Sequence, residues 1–185
     1  MRAARSLAIA LVLTVLAAPA AWARSALPNR TDAEFQAECL AVHNELRARH
    51  GAPPMAVDTN IAVYAKLRAA LISQKDGLSH GHAGLRDHGE NLSWWATTQR
   101  GQLGSCRRAV QSWYDEIKDY DFARPGFSGA TGHFTQVVWK ASTKLGCARV
   151  AGQGGKWFET YVVCNYKVPG NVQGDFPRNV LPPKG

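Results

Sequence analysis

The order of its secondary-structure signals is the feature that most constrains how this chain can fold. Apolar residues recur at helical spacing in three segments, residues 31–50, 59–74 and 105–118. Two strand-like segments follow, residues 145–151 and 157–166, with the glycine-rich residues 152–155 forming a turn between them. This order predicts an antiparallel hairpin packed with helices. Because the chain contains no βαβ repeat, we expect an α+β sandwich.

Short signals mark the starts of the first two helices. Thr31 and Glu34 have the S/T-x-x-E spacing of a capping box, which predicts that Thr31 caps the first helix. Asp58 is the candidate cap of the second helix. The apolar positions that fit the helical spacing of this second segment are Ile61, Tyr64, Leu67, Leu71 and Ile72.

The first 23 residues have the three parts of an export signal. Arg2 and Arg5 form a positive n-region, residues 7–18 are apolar but too short for a typical membrane span, and residues 21–23 read A-W-A. We therefore predict a signal peptide over residues 1–23 and a single secreted domain over residues 24–185. The protein would be extracellular, or periplasmic in a bacterial host. An uncleaved signal anchor is the alternative, and no later segment resembles a transmembrane helix.

The basic residues are dispersed along the chain. The formal net charge of +8 becomes +6 when the two arginines of the signal peptide are removed. A dispersed charge favours solubility and, at most, weak attraction to anionic surfaces. Because the chain has no compact basic cluster and no nucleic-acid-binding motif, we do not expect a nucleic-acid partner.

The cysteines form an even set of four, namely Cys39, Cys106, Cys147 and Cys164. In an exported protein such a set predicts two disulfides, and three connectivities are open. No C-x-x-C pair is present, which disfavours a structural zinc cluster or a redox motif. A buried free thiol is the alternative for Cys39, since it shares a helical stripe with Phe35 and Val42.

Four residues from separate segments have the chemistry of one shared site: His80, Glu90, Glu116 and His133. Two imidazoles and two carboxylates can bind a divalent metal or share protons. Glu116 lies on the rim of the third helix's apolar stripe, about 60° around the helix from Trp113. The alternative for Glu116 is a solvated carboxylate paired with Arg108 or Lys118.

A set of motifs extends over nearly all of the predicted mature chain. They are residues 43–45 (HNE), 89–92 (GENL), 113–117 (WYDEI), 132–139 (GHFTQVVW) and 161–166 (YVVCNY) followed by 169–171 (PGN). In order and spacing they resemble the CAP superfamily of cysteine-rich secretory proteins, antigen 5 and pathogenesis-related proteins, also called the SCP domain. Residues 120–127 and the tail 179–184 further resemble its Golgi-associated branch.

The resemblance implies a three-layer α-β-α sandwich with a central antiparallel sheet and a cleft lined by a His-Glu-Glu-His tetrad. When the family's motifs are matched to this sequence, the tetrad falls on the same four residues, His80, Glu90, Glu116 and His133. His82 is the alternative to His80, because it lies only two residues away. The resemblance does not supply the disulfide connectivity, since this chain lacks several cysteines of its disulfide-rich relatives.

Metal binding is the first function that we expect of the tetrad. In this hypothesis His80 and His133 donate ring nitrogens to a divalent metal, with zinc as the expected ion, at about 2.0–2.1 Å. Waters or the two carboxylates would complete the coordination sphere. The alternative is a hydrogen-bonded network of imidazolium and carboxylate that fixes the cleft without metal.

A metal-dependent, peptidase-like hydrolase is the alternative function. Glu90 or Glu116 would then act as a general base toward a metal-bound water, with its proton affinity raised by burial and by the neighbouring carboxylate. The chain has no H-E-x-x-H helix and no G-x-S-x-G elbow. A binding module is therefore favoured over an enzyme.

Lipid binding is a further hypothesis, based on three loop aromatics, Tyr120, Phe122 and Phe127. The resemblance implies sterol or fatty-acid ligands, and a peptide in the cleft is also considered. The alternative is that these rings pack the loop onto the domain.

Structural roles are expected for the other conspicuous rings. His43 should organise packing, and His50 should be an exposed group at a helix end. The tryptophans predicted to lie in the core or the cleft wall are Trp94, Trp95, Trp139 and Trp157.

Overall fold

The computed structural model describes residues 24–75, 78–80 and 87–184 and shows the predicted α+β sandwich. Its elements are α1 (Ala33–Arg49), β1 (Ala56–Val57), α2 (Thr59–Ser73), β2 (Gly89–Thr97), α3 (Cys106–Tyr114), a 3₁₀ helix (Asp115–Asp119), α4 (Gly132–Val138), β3 (Lys144–Gln153), β4 (Phe158–Lys167) and α5 (Phe176–Asn179). None of the helices in these residues is both long and apolar enough to cross a bilayer.

The sheet has four strands in the order β1-β3-β4-β2. Strands β3 and β4 form the predicted hairpin, with Lys144 opposite Lys167 and Gln153 opposite Phe158. Strand β2 pairs antiparallel with β4 and lies at the edge of the sheet within the described residues. The central sheet was expected to be antiparallel. The short β1 is the exception, because it runs parallel to β3.

Alternating side chains of β3 and β4 supply both faces of the sheet. Cys147 and Val162 belong to a core built with α1, α3 and α4, whereas Ala148 and Val163 belong to a second core built with α2. Because neighbouring strand residues point to opposite faces, the hairpin is buried on both sides. The helices therefore form two layers around the sheet.

Helix α2 packs on the sheet through its small residues. Asp58 caps it, as predicted, and its buried residues include Ala62, Ala65 and Ala69. A Cβ at Gly146 of β3 would lie 2.2 Å from the backbone nitrogen of Ala62, which shows how closely helix and strand approach. The larger Leu67 and Leu71 are instead 61% and 45% exposed, so the assignment of these two residues to the apolar face is wrong.

Helix α1 begins one residue later than the capping-box pattern predicts. Asp32 is the N-cap, and its carboxylate accepts a hydrogen bond from the backbone of Phe35 at 2.7 Å. The Thr31 hydroxyl instead bonds to the backbone of Arg149 in β3. Thr31 and Asp32 are both residue types that cap helices. Because Thr31 is bonded to the sheet, Asp32 caps α1.

The third helical segment divides into two types of helix. Ser105 caps α3, which ends at Tyr114, and the 3₁₀ helix Asp115–Asp119 replaces the last predicted α-helical turn. Its tighter winding changes the direction in which the Glu116 side chain projects. This change places Glu116 next to the start of α4.

Both predicted disulfides are present. Cys39–Cys106 joins α1 to α3, and Cys147–Cys164 joins opposite positions of β3 and β4. The alternative of a free thiol at Cys39 is therefore wrong. Both bridges lie in the core beneath α1, α3 and α4.

Candidate functional site

The structure brings the four tetrad residues together as two histidine–carboxylate pairs. His80 Nδ1 lies 3.3 Å from Glu90 Oε1, and His133 Nδ1 lies 2.7 Å from Glu116 Oε1. The centroids of the two imidazole rings are 6.3 Å apart. His82 lies outside the described residues, so its place relative to His80 stays a prediction.

Glu116 is held at the N-terminus of α4. Its Oε2 accepts hydrogen bonds from the backbone nitrogens of His133 at 3.0 Å and Phe134 at 3.1 Å. The first amides of a helix have no intrahelical acceptor and favour a negative charge. Both oxygens of Glu116 are thus engaged, and the alternative of a solvated ion pair with Arg108 or Lys118 is wrong.

Two contacts fix the His133 ring, and a third holds its backbone. Its Nδ1 faces Glu116, its face stacks on Trp113 at a centroid distance of 6.3 Å, and its backbone carbonyl accepts a bond from Asn91 at 3.1 Å. In the neutral ring, Nδ1 carries the proton that is donated to the carboxylate, which leaves the Nε2 lone pair available.

Glu90 is buried, with a side chain only 5% exposed, and is held by Arg68. The guanidinium donates through Nε at 2.8 Å to one carboxylate oxygen and through Nη2 at 3.0 Å to the other. Asn165, which lies opposite Glu90 across β2 and β4, adds a bond at 3.3 Å. Such a two-pronged pair fixes position as well as charge.

These contacts decide the protonation state of Glu90. Burial raises the pKa of Glu90, but the hydrogen bonds from His80 and Arg68 outweigh burial and lower that pKa from 4.5 to about 2. The expected net increase in the proton affinity of this carboxylate is therefore wrong for Glu90, because the hydrogen bonds outweigh burial. Glu90 is ionised at neutral pH and is a weak base.

Sequence reasoning missed Arg68 and Asn165. Arg68 is buried on the same face of α2 as Ala65, Ala69 and Ile72, where a charged residue interrupts an otherwise apolar stripe. That interruption was the available signal, since a buried charge requires a partner. Asn165 lies within the YVVCNY motif, but its pairing with Glu90 depends on the register of β2 against β4.

The two imidazole rings are almost close enough for one metal to be held by both histidines. Two Nε2 atoms about 2.1 Å from one tetrahedral ion place their ring centroids about 5.3 Å apart, so the observed separation is about 1 Å too wide. His80 is 55% exposed, and a small movement of its ring would close the difference. No described residue bonds to Nε2 of either ring, and each Nδ1 contacts a carboxylate, as in typical histidine ligation.

The tetrad does not form a closed metal cage. Among the described residues, three or more His, Cys, Asp or Glu donor atoms lie within 4.8 Å of one another only at the four half-cystines. Those sulfurs are bound in disulfides and are not available as ligands. A metal at the tetrad would therefore keep open positions, which is the arrangement of sites that bind a further ligand.

The loop aromatics separate into packed and exposed rings. Tyr120 is buried and contacts Phe122 and Phe134, so the alternative of structural packing holds for the first two loop rings. Phe127 is 60% exposed. It is the one of the three predicted lipid contacts that presents its ring to solvent.

Comparison with known proteins places the chain in a family. Residues 40–166 match the cysteine-rich secretory protein family, CAP. The chain is 38% identical over 154 residues to the Golgi-associated plant pathogenesis-related protein 1 of Homo sapiens, covering 82% of this chain and 95% of that protein. It is also 38% identical over 148 residues to the secreted protein RBT4 of Candida albicans, covering 80% of this chain but only 38% of that longer protein.

The fold agrees with the sequence comparison. The crystal structure of NaASP2 with Zn²⁺ matches with a TM-score of 0.63 over 85% of this chain and 90% of that chain, at 22% identity. The sheet, its two helical layers and the family motifs define a CAP-domain protein. This chain belongs to the cysteine-rich secretory protein family.

Proposed function

We propose that this CAP protein binds a divalent metal, with zinc as the expected ion, through Nε2 of His80 and His133. The observation that carries the proposal is the pair of imidazole rings 6.3 Å apart, each with its Nδ1 held by its own carboxylate. Carboxylates that orient ligating histidines in this way raise their basicity and fix their tautomer. The fold relative NaASP2 was solved with Zn²⁺, which supports the choice of ion.

The residues around the histidines would position the rings and would not bind the metal themselves. Glu116 orients His133 from the start of α4, and Glu90 orients His80 while Arg68 compensates the buried charge. A bound metal would supply a Lewis acid that can hold a carbonyl or carboxylate oxygen of a ligand. The open positions at the tetrad would receive that group.

A binding role is favoured over the peptidase-like hydrolase. A general base needs a free lone pair and a pKa near neutrality, whereas the Glu90 carboxylate accepts four hydrogen bonds and the Glu116 carboxylate three, out of about four lone pairs each. The pKa of Glu90 is also lowered to about 2. A peptide-library screen with zinc supplied should give no cleavage, and cleavage lost in Glu116→Gln would favour the hydrolase instead.

The organic ligand is proposed to be a lipid or a peptide. For a lipid, the supporting observation is the exposed ring of Phe127. Titration with a fluorescent sterol and a fluorescent fatty acid should show saturable binding that weakens in Phe127→Ala. Phe122→Leu serves as the packing control. Absence of saturable binding to the wild-type protein would leave the peptide as the proposed ligand.

Export is proposed from the predicted signal peptide, and the contacts of Arg24 are compatible with cleavage before it. The Arg24 guanidinium bonds to Glu159 at 2.6 Å and to the Tyr161 hydroxyl at 2.8 Å. Cleavage after Ala23 would leave these contacts intact. Relatives include one protein named as secreted and one named as Golgi-associated. N-terminal sequencing of protein from the culture medium should begin at Arg24.

Zinc titration calorimetry tests the metal proposal. The wild-type protein should bind one Zn²⁺ near neutral pH, and the double variant His80→Ala with His133→Ala should lose that binding. His88→Ala is the matched control, because this histidine contacts Tyr64 and lies outside the tetrad. Unchanged binding in the double variant, or no binding by the wild type, would remove the proposal.

A further inference from the structure

Two tryptophans expected in the core or cleft wall are instead exposed at one edge of the sheet. Trp94 on β2 is 46% exposed and Trp157, just before β4, is 36% exposed, whereas Trp139 is 1% exposed. Together with Trp95 they line an open depression of about 610 Å³. Exposed indole rings leave a large apolar area in water, which is unusual unless they contact a partner.

A second depression continues the first. It has a volume of about 210 Å³, shares Trp94 and Trp95, and reaches Ser105, Arg108 and Ser112 of α3. Because successive strand residues point to opposite faces, Trp94 and Trp95 place their rings on the two sides of the β2 edge. We call the two depressions together the tryptophan groove. It combines flat aromatic surfaces with hydroxyl side chains.

Two of the rings each have a cation nearby. The Arg108 guanidinium lies 5.2 Å from the centroid of the Trp95 ring, and the Lys156 ammonium lies 5.0 Å from that of Trp157. Such contacts restrict ring motion, so binding a ligand on these rings costs less conformational entropy. Within the described residues, no group bonds to the hydroxyls of Ser93 and Thr98, and both line the groove.

We infer that the tryptophan groove binds a neutral oligosaccharide of hexopyranose units. The apolar C–H face of a pyranose ring matches an indole plane, and its hydroxyls match serine and threonine side chains as donors and acceptors. Arg108 lines the groove and Lys156 is next to it in sequence, and both cations already face aromatic rings. No carboxylate lines either depression. A neutral, hydroxyl-rich chain therefore fits the groove better than an anionic one.

The groove is separate from the metal site. Glu90 is the second residue of β2 and Trp94 the sixth, so they are four residue steps of extended strand, about 13 Å, apart. The inference therefore does not depend on zinc. Binding should be the same with zinc and with a chelator.

Calorimetric titration with cellohexaose, chitohexaose and β-1,3-glucohexaose tests the inference. At least one of these should bind saturably, and Trp94→Ala and Trp157→Ala should each weaken that binding about tenfold through loss of a stacking surface. Trp94→Phe should keep part of the affinity, because a smaller ring still stacks. Leu67→Ala is the control, since Leu67 is a 61% exposed apolar side chain on α2 that does not line the groove, and sugar binding should stay unchanged.

Three results would overturn the inference. The first is no saturable binding of any of the three sugars. The second is binding that persists unchanged in the double variant Trp94→Ala with Trp157→Ala. The third is binding of dextran sulfate alone that disappears with salt, because that behaviour belongs to the protein's general positive charge.

Discussion

Single buried side chains in this protein are held by more contacts than their residue types suggest. His43 lies in the core, with Nδ1 2.7 Å from the Cys39 carbonyl and Nε2 2.9 Å from the Tyr166 hydroxyl. The carbonyl requires a proton on Nδ1, so Nε2 accepts from the tyrosine. The neutral ring satisfies both contacts, in agreement with the predicted packing role.

The pH dependence of stability should report on His43. Burial lowers the pKa of His43 from 6.5 to about 4, so between these values the unfolded chain binds more protons than the folded protein. Stability is therefore retained above about pH 6.5 and falls as the pH drops toward 4, by about 2 kcal/mol between pH 7 and pH 5. Urea unfolding at the two pH values measures this change.

A His43→Gln variant controls that experiment. Its stability at pH 7 should be lower, but the loss between pH 7 and pH 5 should be smaller, because the titrating ring is gone. The His50 pKa is also lowered by burial, so some dependence should remain. An equal loss in variant and wild type would contradict the assignment.

The Arg68–Glu90 pair should contribute strongly to stability. Both side chains are buried, so removal of Arg68 leaves a carboxylate with its main compensating charge gone. We expect Arg68→Ala to cost about 3–5 kcal/mol in urea unfolding. Arg124→Ala is the control, since Arg124 pairs with Asp121 at the surface and should change stability by about 0.5 kcal/mol or less. Equal effects would contradict the burial argument.

Which residues could be predicted depended on whether their partners were local. The Asp58 cap was predicted because capping contacts span only a few residues. His50 was expected to be exposed, yet it is buried, with Nδ1 2.6 Å from the Leu181 carbonyl and Nε2 2.9 Å from the Tyr114 hydroxyl. Its partner Leu181 is 131 residues away, and no local pattern indicates such a contact.

At the scale of elements, the packing of α2 on β3 determines which face of the helix is buried. Leucines and alanines both count as apolar, so the periodicity of residues 59–74 fits more than one face. The close approach at Gly146 admits only the alanine face and leaves Leu67 outside. Shape, and not hydrophobicity, selects the face, and shape requires knowledge of the opposing strand.

A methyl group at Gly146 should therefore be costly. Gly146→Ala would press its Cβ against the α2 backbone, which cannot move aside as a side chain could. We expect a loss of about 1–3 kcal/mol or more. Gly126→Ala is the control, because a Cβ there meets no atom within 4 Å, and its effect should stay within about 0.5 kcal/mol. Thermal unfolding of both variants checks the difference.

The 3₁₀ helix shows a similar limit of prediction. The sequence pattern placed Glu116 on the rim of one continuous helix, close to its true position. The switch of helix type at Asp115 was not visible in the pattern, although it brings the carboxylate to the first amides of α4. The motif resemblance identified the residue, and the backbone geometry explains its contacts.

For the whole molecule, the two disulfides should contribute unequally. Cys39–Cys106 has a sequence separation of 67 and Cys147–Cys164 a separation of 17. Because a longer loop loses more entropy when closed, removal of the first bridge should cost about 4 kcal/mol and removal of the second about 3 kcal/mol. Both pairs are fully buried, so paired Cys→Ala variants are matched for burial. Urea unfolding of the two double variants tests the order, and the reverse order would contradict the loop-length argument.

The family and the layered fold could be predicted because the motifs extend over most of the chain. The convergence of His80, Glu90, Glu116 and His133 could be proposed only by resemblance, since the four residues belong to separate segments. The fixed protonation of Glu90 and the exposed tryptophans could not be predicted, because both depend on which strands and helices are neighbours.

The central claim is that one metal ion binds between the two imidazole rings. A crystal grown with zinc, with anomalous data collected at the zinc absorption edge, measures this directly. We predict a single strong peak about 2.0–2.1 Å from Nε2 of both His80 and His133, with Nδ1 of each ring still bonded to its carboxylate. No peak at the tetrad, or a peak coordinated by neither histidine, would contradict it.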